Sequence, residues 1–216
     1  MSEPEMTGNW ALQIYREVLA MKKDKALVVV DLQVDFCPGG ALGVADGDKI
    51  IPTINKYVEL FSQHQLPIFV SRDWHPPETT HFQAFGGPWP VHCVQNSRGA
   101  QFHPDFQIPD SAIILSKGTD PSLDGYSVFD AQDAENRFFL ELLKERQVKE
   151  LYVAGIATDY CVRTTALDAL HHGFKVTVLI DAVKGVSPTD SERTLKEIVE
   201  KNGQLKGFDD VVKALN

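Results

Sequence analysis

Two hydrophobic periodicities take turns along this chain. Ala26-Leu27-Val28-Val29-Val30, Leu66 to Ser71, Ala112 to Leu115, Leu151 to Ala154 and Lys175 to Ile180 are short, nearly unbroken apolar runs rich in β-branched residues. Such runs predict strands buried on both faces. Between them the apolar residues fall at helical spacing. The pattern predicts a helix over 47–63 (Ile50, Ile54, Val58, Phe61) and another over 131–146, with Phe138/Leu142 and Phe139/Leu143 four apart. A third runs from Val162 to Gly173, and a fourth spans 188–201, capped near Ser187 and stopped by Gly203. Leu205 and a last turn or two from Asp209 to Leu215 close the chain. Strand–helix alternation with apolar strands implies a three-layer α/β/α domain. Its sheet is mainly parallel, doubly wound and Rossmann-like, with about six strands. Ahead of it, residues 1–8 read as a tail and 9–21 as an amphipathic helix carrying Ala11, Ile14, Tyr15, Val18 and Leu19. The expected organisation is therefore a tail and docked helix over 1–25 and one domain over 26–216.

Composition narrows the class without naming a function. A formal charge of −9 over 216 residues argues against a general nucleic-acid binder. No run approaches the roughly 20 apolar residues needed to span a bilayer, and Glu3 and Glu5 stand where a secretory signal would be basic. Three cysteines make no disulfide framework and suit a reducing compartment. The expectation is a cytoplasmic enzyme or binding protein with neither membrane nor nucleic-acid partners; the charge says little about a small neutral substrate.

The polar residues supply the chemistry. Asp31, Asp73, Lys117 and Cys161 each follow a predicted buried strand. In an open parallel sheet those carboxyl ends gather at one edge, where ligands bind. Each alone has an ordinary reading: Asp31 as a turn cap, Lys117 as a solvated lysine, Cys161 as a small buried side chain. Together they suggest a nucleophile, a base and a cation. Cys161 follows Thr158 and Asp159 as a candidate cap, which puts it in the first turn of a helix, where free N–H groups and the helix dipole favour a thiolate. Asp31 would take the thiol proton and Lys117 would stabilise the anion.

A second constellation lies in the irregular stretch from Pro76 to Pro109, rich in Pro, Gly, His and aromatic residues and opening at the preceding strand end. Asp73, His75, His81 and His92 are nitrogen and carboxylate donors without thiolate, suited to one divalent metal, zinc first and iron or manganese as alternatives. Cys37 and Cys93 are expected to pack. Phe36, Trp74, Phe85, Trp89 and Tyr126 supply aromatic material for a planar ring substrate.

Three stretches carry a family resemblance: Val30-Asp31-Leu32-Gln33-Val34-Asp35-Phe36, Arg72-Asp73-Trp74-His75 with Trp89-Pro90-Val91-His92-Cys93, and Gly155-Ile156-Ala157-Thr158-Asp159-Tyr160-Cys161-Val162. With Lys117-Gly118 between them, the chain resembles the nicotinamidases (pyrazinamidases) of the isochorismatase-like cysteine hydrolase superfamily from about residue 26 to about residue 200. The resemblance implies hydrolysis of nicotinamide to nicotinate and ammonia in NAD salvage, with pyrazinamide also accepted. It matches Asp31, Lys117 and Cys161 to the triad. It also matches Asp73, His75 and His92 to the metal ligands, and His81 to a position filled less uniformly. Phe36, Trp89 and Tyr126 match the walls of the ring pocket. Ile156–Ala157 matches a cis peptide that aims the Ala157 and Cys161 N–H groups at an oxyanion. Gln33, Ile156 and Tyr160 stand as supporting residues, Tyr160 where some relatives carry histidine. Family members occur as monomers and as homo-oligomers. Two rival readings remain: another amidase of the superfamily, such as a carbamoyl-amide hydrolase, and a non-catalytic, metal-stabilised binding protein.

Overall fold

In the computed structural model, which describes residues 23–216, six parallel strands form one sheet in the order β3-β2-β1-β4-β5-β6. They are β1 (Lys25–Val30), β2 (Ile68–Asp73), β3 (Ile113–Lys117), β4 (Glu150–Ile156), β5 (Lys175–Lys184) and β6 (Gln204–Lys206). The helices are α1 (Ile51–Gln63), α2 (Phe139–Glu145), α3 (Arg163–His171), α4 (Pro188–Glu200) and α5 (Phe208–Leu215). The predicted helix over 9–21 lies outside the described residues.

Alternation along β1 builds the three layers. Leu27 and Val29 face a core with Ile54, Tyr57 and Phe61 of α1 and Val211 of α5. Ala26, Val28 and Val30 face the opposite core with Phe139 and Leu142 of α2, Ala166 and Ala169 of α3, and Ile198 of α4. Both faces of the strand are buried, which is why its sequence reads as unbroken apolar residues rather than alternating ones.

The strand order reverses between β1 and β4, and a crevice opens there beyond the carboxyl ends. The two strands approach closely at Gly155, where φ is +115° and a Cβ would run into the Val30 backbone. Only glycine fits that position. The connection from β2 to β3 has no α-helix, only a 3₁₀ turn at Gln83–Phe85 and irregular chain.

Three local expectations are corrected. The helix expected over 131–146 is only Phe139–Glu145. Residues before it are extended, with Gln132 bridging Ser116 and Phe138, and Phe138 is a half-exposed cap whose N–H donates to Glu141 Oε2 at 2.8 Å. β5 runs on to Lys184 because a register shift between Val153 and Gly155 lets pairing with β4 resume at Val183 and Lys184. The segment bearing Cys161 opens as a π-helical turn, Thr158–Val162, before α3, with Ala157 at the cap. Neither Thr158 nor Asp159 caps it. The Asp159 carboxylate is occupied elsewhere, accepting the N–H groups of Val186 at 3.0 Å and Ser187 at 2.8 Å.

Candidate active site

The sheet brings its polar strand ends together as expected. Asp31 follows β1, Lys117 ends β3 and Cys161 lies in the turn after β4; all three are buried. Parallel register sets Asp73 directly beside Lys117. Lys117 Nζ lies 2.7 Å from Asp31 Oδ2 and donates to Cys161 Sγ at 3.4 Å. It also donates to Asp73 Oδ1. Asp31 holds a left-handed backbone, φ +50°, and its Oδ1 accepts the Ser71 hydroxyl at 2.7 Å. Its Oδ2 has the ammonium nearby but no well-aligned hydrogen bond, so a lone pair is open to a proton. Carboxylate oxygens of Asp31 and Asp73 and the Cys161 sulfur lie within 4.8 Å of one another.

Burial governs the electrostatics here. It pushes the Cys161 thiol well above its ordinary value; Lys117 counters this while Asp31 and Asp73 reinforce it. Burial and the two carboxylates thus oppose the thiolate that a helix start favours, and the Lys117 ammonium supports it. Burial pushes Asp31 up to about 6, Lys117 offsetting part of the rise. Burial alone would lower Lys117, but Asp31 and Asp73 hold its ammonium well above the usual lysine value. It therefore stays charged, and two carboxylates offset the cost of burying it.

The irregular connection delivers the second group. One ring nitrogen each of His75, His81 and His92 lies within 4.8 Å of the other two. Every ring is anchored through Nδ1: His75 to Gly118 O at 3.1 Å, His81 to Asp124 Oδ1 at 2.8 Å and His92 to Pro90 O at 2.7 Å. The Nε2 atoms are left for the centre, and that of His75 is buried without a partner. Asp73 Oδ2 lies 3.5 Å from His75 Nε2 and 3.9 Å from His92 Nε2. Burial lowers the affinity of His81 and His92 for protons, which favours the neutral, metal-ligating form. Three imidazoles and a carboxylate around an orphaned buried nitrogen fit a divalent metal. Asp73 belongs to both groups, Oδ1 toward Lys117 and Oδ2 toward the histidines. Burial raises its carboxyl, but Lys117 and His75 outweigh that and hold it below the usual carboxylate range.

A small, partly open cavity lies over both groups, with Cys161, Asp73, His81 and His92 at its wall. Phe36, Trp89, Tyr126, Ala157 and Cys161, the residues expected to face substrate, line it; so do Ile156 and Tyr160, expected only to support the site, and Leu42, Val44 and Val186, which sequence reasoning did not single out. Trp89 Nε1 donates to Tyr126 Oη at 2.7 Å, and Tyr160 sets its ring edge-on to Trp89 with centroids 5.0 Å apart. The peptide joining Ile156 to Ala157 is cis. Trp74 and Phe85 do not line the cavity: Arg72 stacks on Trp74 at 3.7 Å, and Phe85 is exposed. Gln33 lies beneath the site. Its side chain donates to the carbonyls of Asp73 and Ala100 and accepts the Asp73 N–H, all at 2.8–2.9 Å. Cys37 and Cys93 are buried and free, as expected. Ser71 and Asp124 were missed, since each acts only through a partner about 40 residues away in sequence.

The fold and site define an α/β protein that sets a buried thiol, carboxylate and ammonium beside a histidine-rich metal cluster. The chain belongs to the isochorismatase family, whose domain model matches residues 25–207. Among its relatives, the nicotinamidase of Escherichia coli K12 is 39% identical over 192 residues, 81% of this chain and 90% of that protein. The pyrazinamidase of Pyrococcus horikoshii, solved in complex with zinc, is 47% identical with a TM-score of 0.80, covering 86% of this chain and 99% of that one. PnC1 from L. infantum, solved in complex with nicotinate, is 32% identical with a TM-score of 0.76, covering 86% and 93%.

Proposed function

We propose that this protein is a nicotinamidase, a metal-dependent cysteine amidohydrolase that converts nicotinamide to nicotinate and ammonia and also accepts pyrazinamide. The observation that carries the reading is the shared Asp73 carboxylate, which joins the thiol group to the histidine cluster under one aromatic-walled cavity. A carbamoyl-amide hydrolase needs the thiol group alone. A metal held by Asp73, His75, His81 and His92, zinc first, would supply a Lewis-acid anchor for the pyridine nitrogen.

The chain's own residues then do the following. Phe36, Trp89 and Tyr126 hold the ring and keep water from its faces. Asp31 accepts the thiol proton as Cys161 Sγ adds to the carboxamide carbon. Burial places the thiol above Asp31 on the proton-affinity scale, so transfer is uphill before attack and is drawn forward by bond formation. Lys117, 3.4 Å from Sγ, stabilises the developing anion without giving up its proton. The Ala157 and Cys161 N–H groups receive the oxyanion. As the C–N bond breaks, Asp31 returns its proton to the departing nitrogen and ammonia leaves a Cys161 thioester. Water then adds to the thioester while Asp31 takes one of its protons; the C–S bond breaks, Asp31 returns that proton to Cys161 Sγ, and the acid leaves as nicotinate with its carboxyl proton passing to solvent. We place the reaction in the cytoplasm, where Cys37, Cys93 and Cys161 stay as free thiols.

The test is ammonia release from nicotinamide, pyrazinamide and benzamide. The first two are expected to be hydrolysed and benzamide, lacking a ring nitrogen, poorly. No ammonia from either pyridine-type amide would leave a binding protein. Equal turnover of benzamide would remove the ring nitrogen from the recognition scheme.

A further inference from the structure

The three histidine anchors differ in kind. His75 and His92 hang on main-chain carbonyls, Gly118 O and Pro90 O. His81 alone is held by a side-chain carboxylate, Asp124, 43 residues further along the chain. We propose that Asp124 is the positioning residue through which this chain sets the strength of its metal site, by fixing the tautomer and orientation of His81. The proposal rests on His81 being a ligand, as read above.

The pair is built on both sides. His81 is buried, and its ring stacks on His75 with centroids 4.6 Å apart and planes 19° from parallel. With Nδ1 occupied by Asp124, its Nε2 is the nitrogen left to face the cluster. The loop carrying Asp124 is strapped onto the His81 segment. The Thr79 and Thr80 hydroxyls both donate to Pro121 O at 3.1 Å, and the Thr80 N–H donates there at 2.9 Å. Beyond Asp124, Gly125 has φ +66° and lies so close to the Gly118 backbone that a Cβ has no room, and Tyr126 is tied to Trp89. Asp124 itself is half-exposed, but its partner is not, so this is more than a free surface ion pair. A carboxylate on the far nitrogen of a ligating imidazole fixes its tautomer and raises its basicity, and removing such a partner costs about 10–100-fold in metal affinity.

The experiment titrates metal-stripped full-length protein with zinc against a chromophoric chelator. Asp124→Ala is expected to lose zinc affinity by about 10–100-fold. Asp124→Asn, whose amide oxygen still accepts the Nδ1–H, should fall between it and the parent. Asp120→Asn is the charge-matched control: this exposed carboxylate on the same loop contacts only Ser122 and is expected to change nothing. Cobalt-loaded Asp124→Ala should show an altered ligand-field spectrum, reporting a displaced ligand independently of turnover. Parent-like affinity in Asp124→Ala, with His81→Ala weakened, would overturn the proposal and leave the ligand set intact. An equal loss in Asp120→Asn would overturn it in favour of a general charge effect. Parent-like affinity in His81→Ala would instead remove the reading on which the proposal stands.

Discussion

The two halves of the site are assembled by opposite means. Lys117 ends β3 in register with Asp73 of β2, Asp31 directly follows β1 and Cys161 lies in the turn after β4, so all three hang from the ends of a parallel sheet buried on both faces. His75, His81 and His92 come from one irregular connection, held by separate hydrogen bonds to loop carbonyls and a loop carboxylate. Hence the first group should keep its geometry when any one member is truncated, whereas the second should loosen anchor by anchor. Asp73 joins them, since it closes β2 and opens the loop.

The largest effect separates the halves by chemistry. Cys161→Ala is expected to lower turnover by on the order of 10⁶-fold, as removal of a nucleophile does elsewhere, while bound metal stays stoichiometric. Residual turnover within about tenfold of the parent would break the assignment of the nucleophile. The converse is His75→Ala. It should weaken metal binding by more than about 100-fold, beyond what loss of an outer partner costs, yet leave Cys161 alkylated by iodoacetamide at a similar rate. Loss of both properties together would show that the halves are not independent.

A smaller effect distinguishes them by pH. Asp31 is pushed up to about 6 by burial and must be ionised to take the thiol proton. So kcat/KM should fall about tenfold per pH unit below that point. Stability should not follow. A carboxyl raised above its unfolded value of about 4 contributes most at low pH and loses that contribution as pH rises through its folded value. Asp73 is depressed instead, so its contribution holds until pH falls below the usual carboxylate range. Activity should therefore disappear on the acid side before circular dichroism reports unfolding. Coincident loss of both would tie the acid limb to the fold rather than to Asp31.

The contrast in assembly also explains what the sequence makes legible. Strand ends are readable because apolar runs mark β1, β2, β3 and β4, and a parallel sheet sends all their carboxyl ends one way. The histidine cluster is readable from residue type. Its anchors are not: Asp124 is one acidic residue among many until the fold sets it 2.8 Å from His81. Ser71 is hidden for the same reason, an inconspicuous strand residue until β1 and β2 pair. The segment before α2 misleads because Phe138/Leu142 has helical spacing while Gln132 is committed to bridging Ser116. The π-helical turn at Cys161 is hidden because Asp159, a good cap by type, spends both oxygens on Val186 and Ser187.

The smallest expected effect lies where the two halves meet the substrate. Tyr126 follows the loop that anchors His81 and closes the cavity against Tyr160, and its hydroxyl accepts the Trp89 indole N–H at 2.7 Å. Tyr126→Phe keeps the ring and deletes that one bond, a change of about 1 kcal/mol for a neutral hydrogen bond. If Trp89 is thereby freed to tilt, the cost appears in binding, as a rise in KM of about fivefold at nearly constant kcat. Metal affinity should be unchanged, because the phenylalanine keeps the ring that packs edge-on against His81 and the Asp124 anchor is untouched. A matching fall in kcat would instead mean that the ring walls position the carboxamide over Cys161 during reaction, making Tyr126 part of the thiol half rather than a neighbour of both.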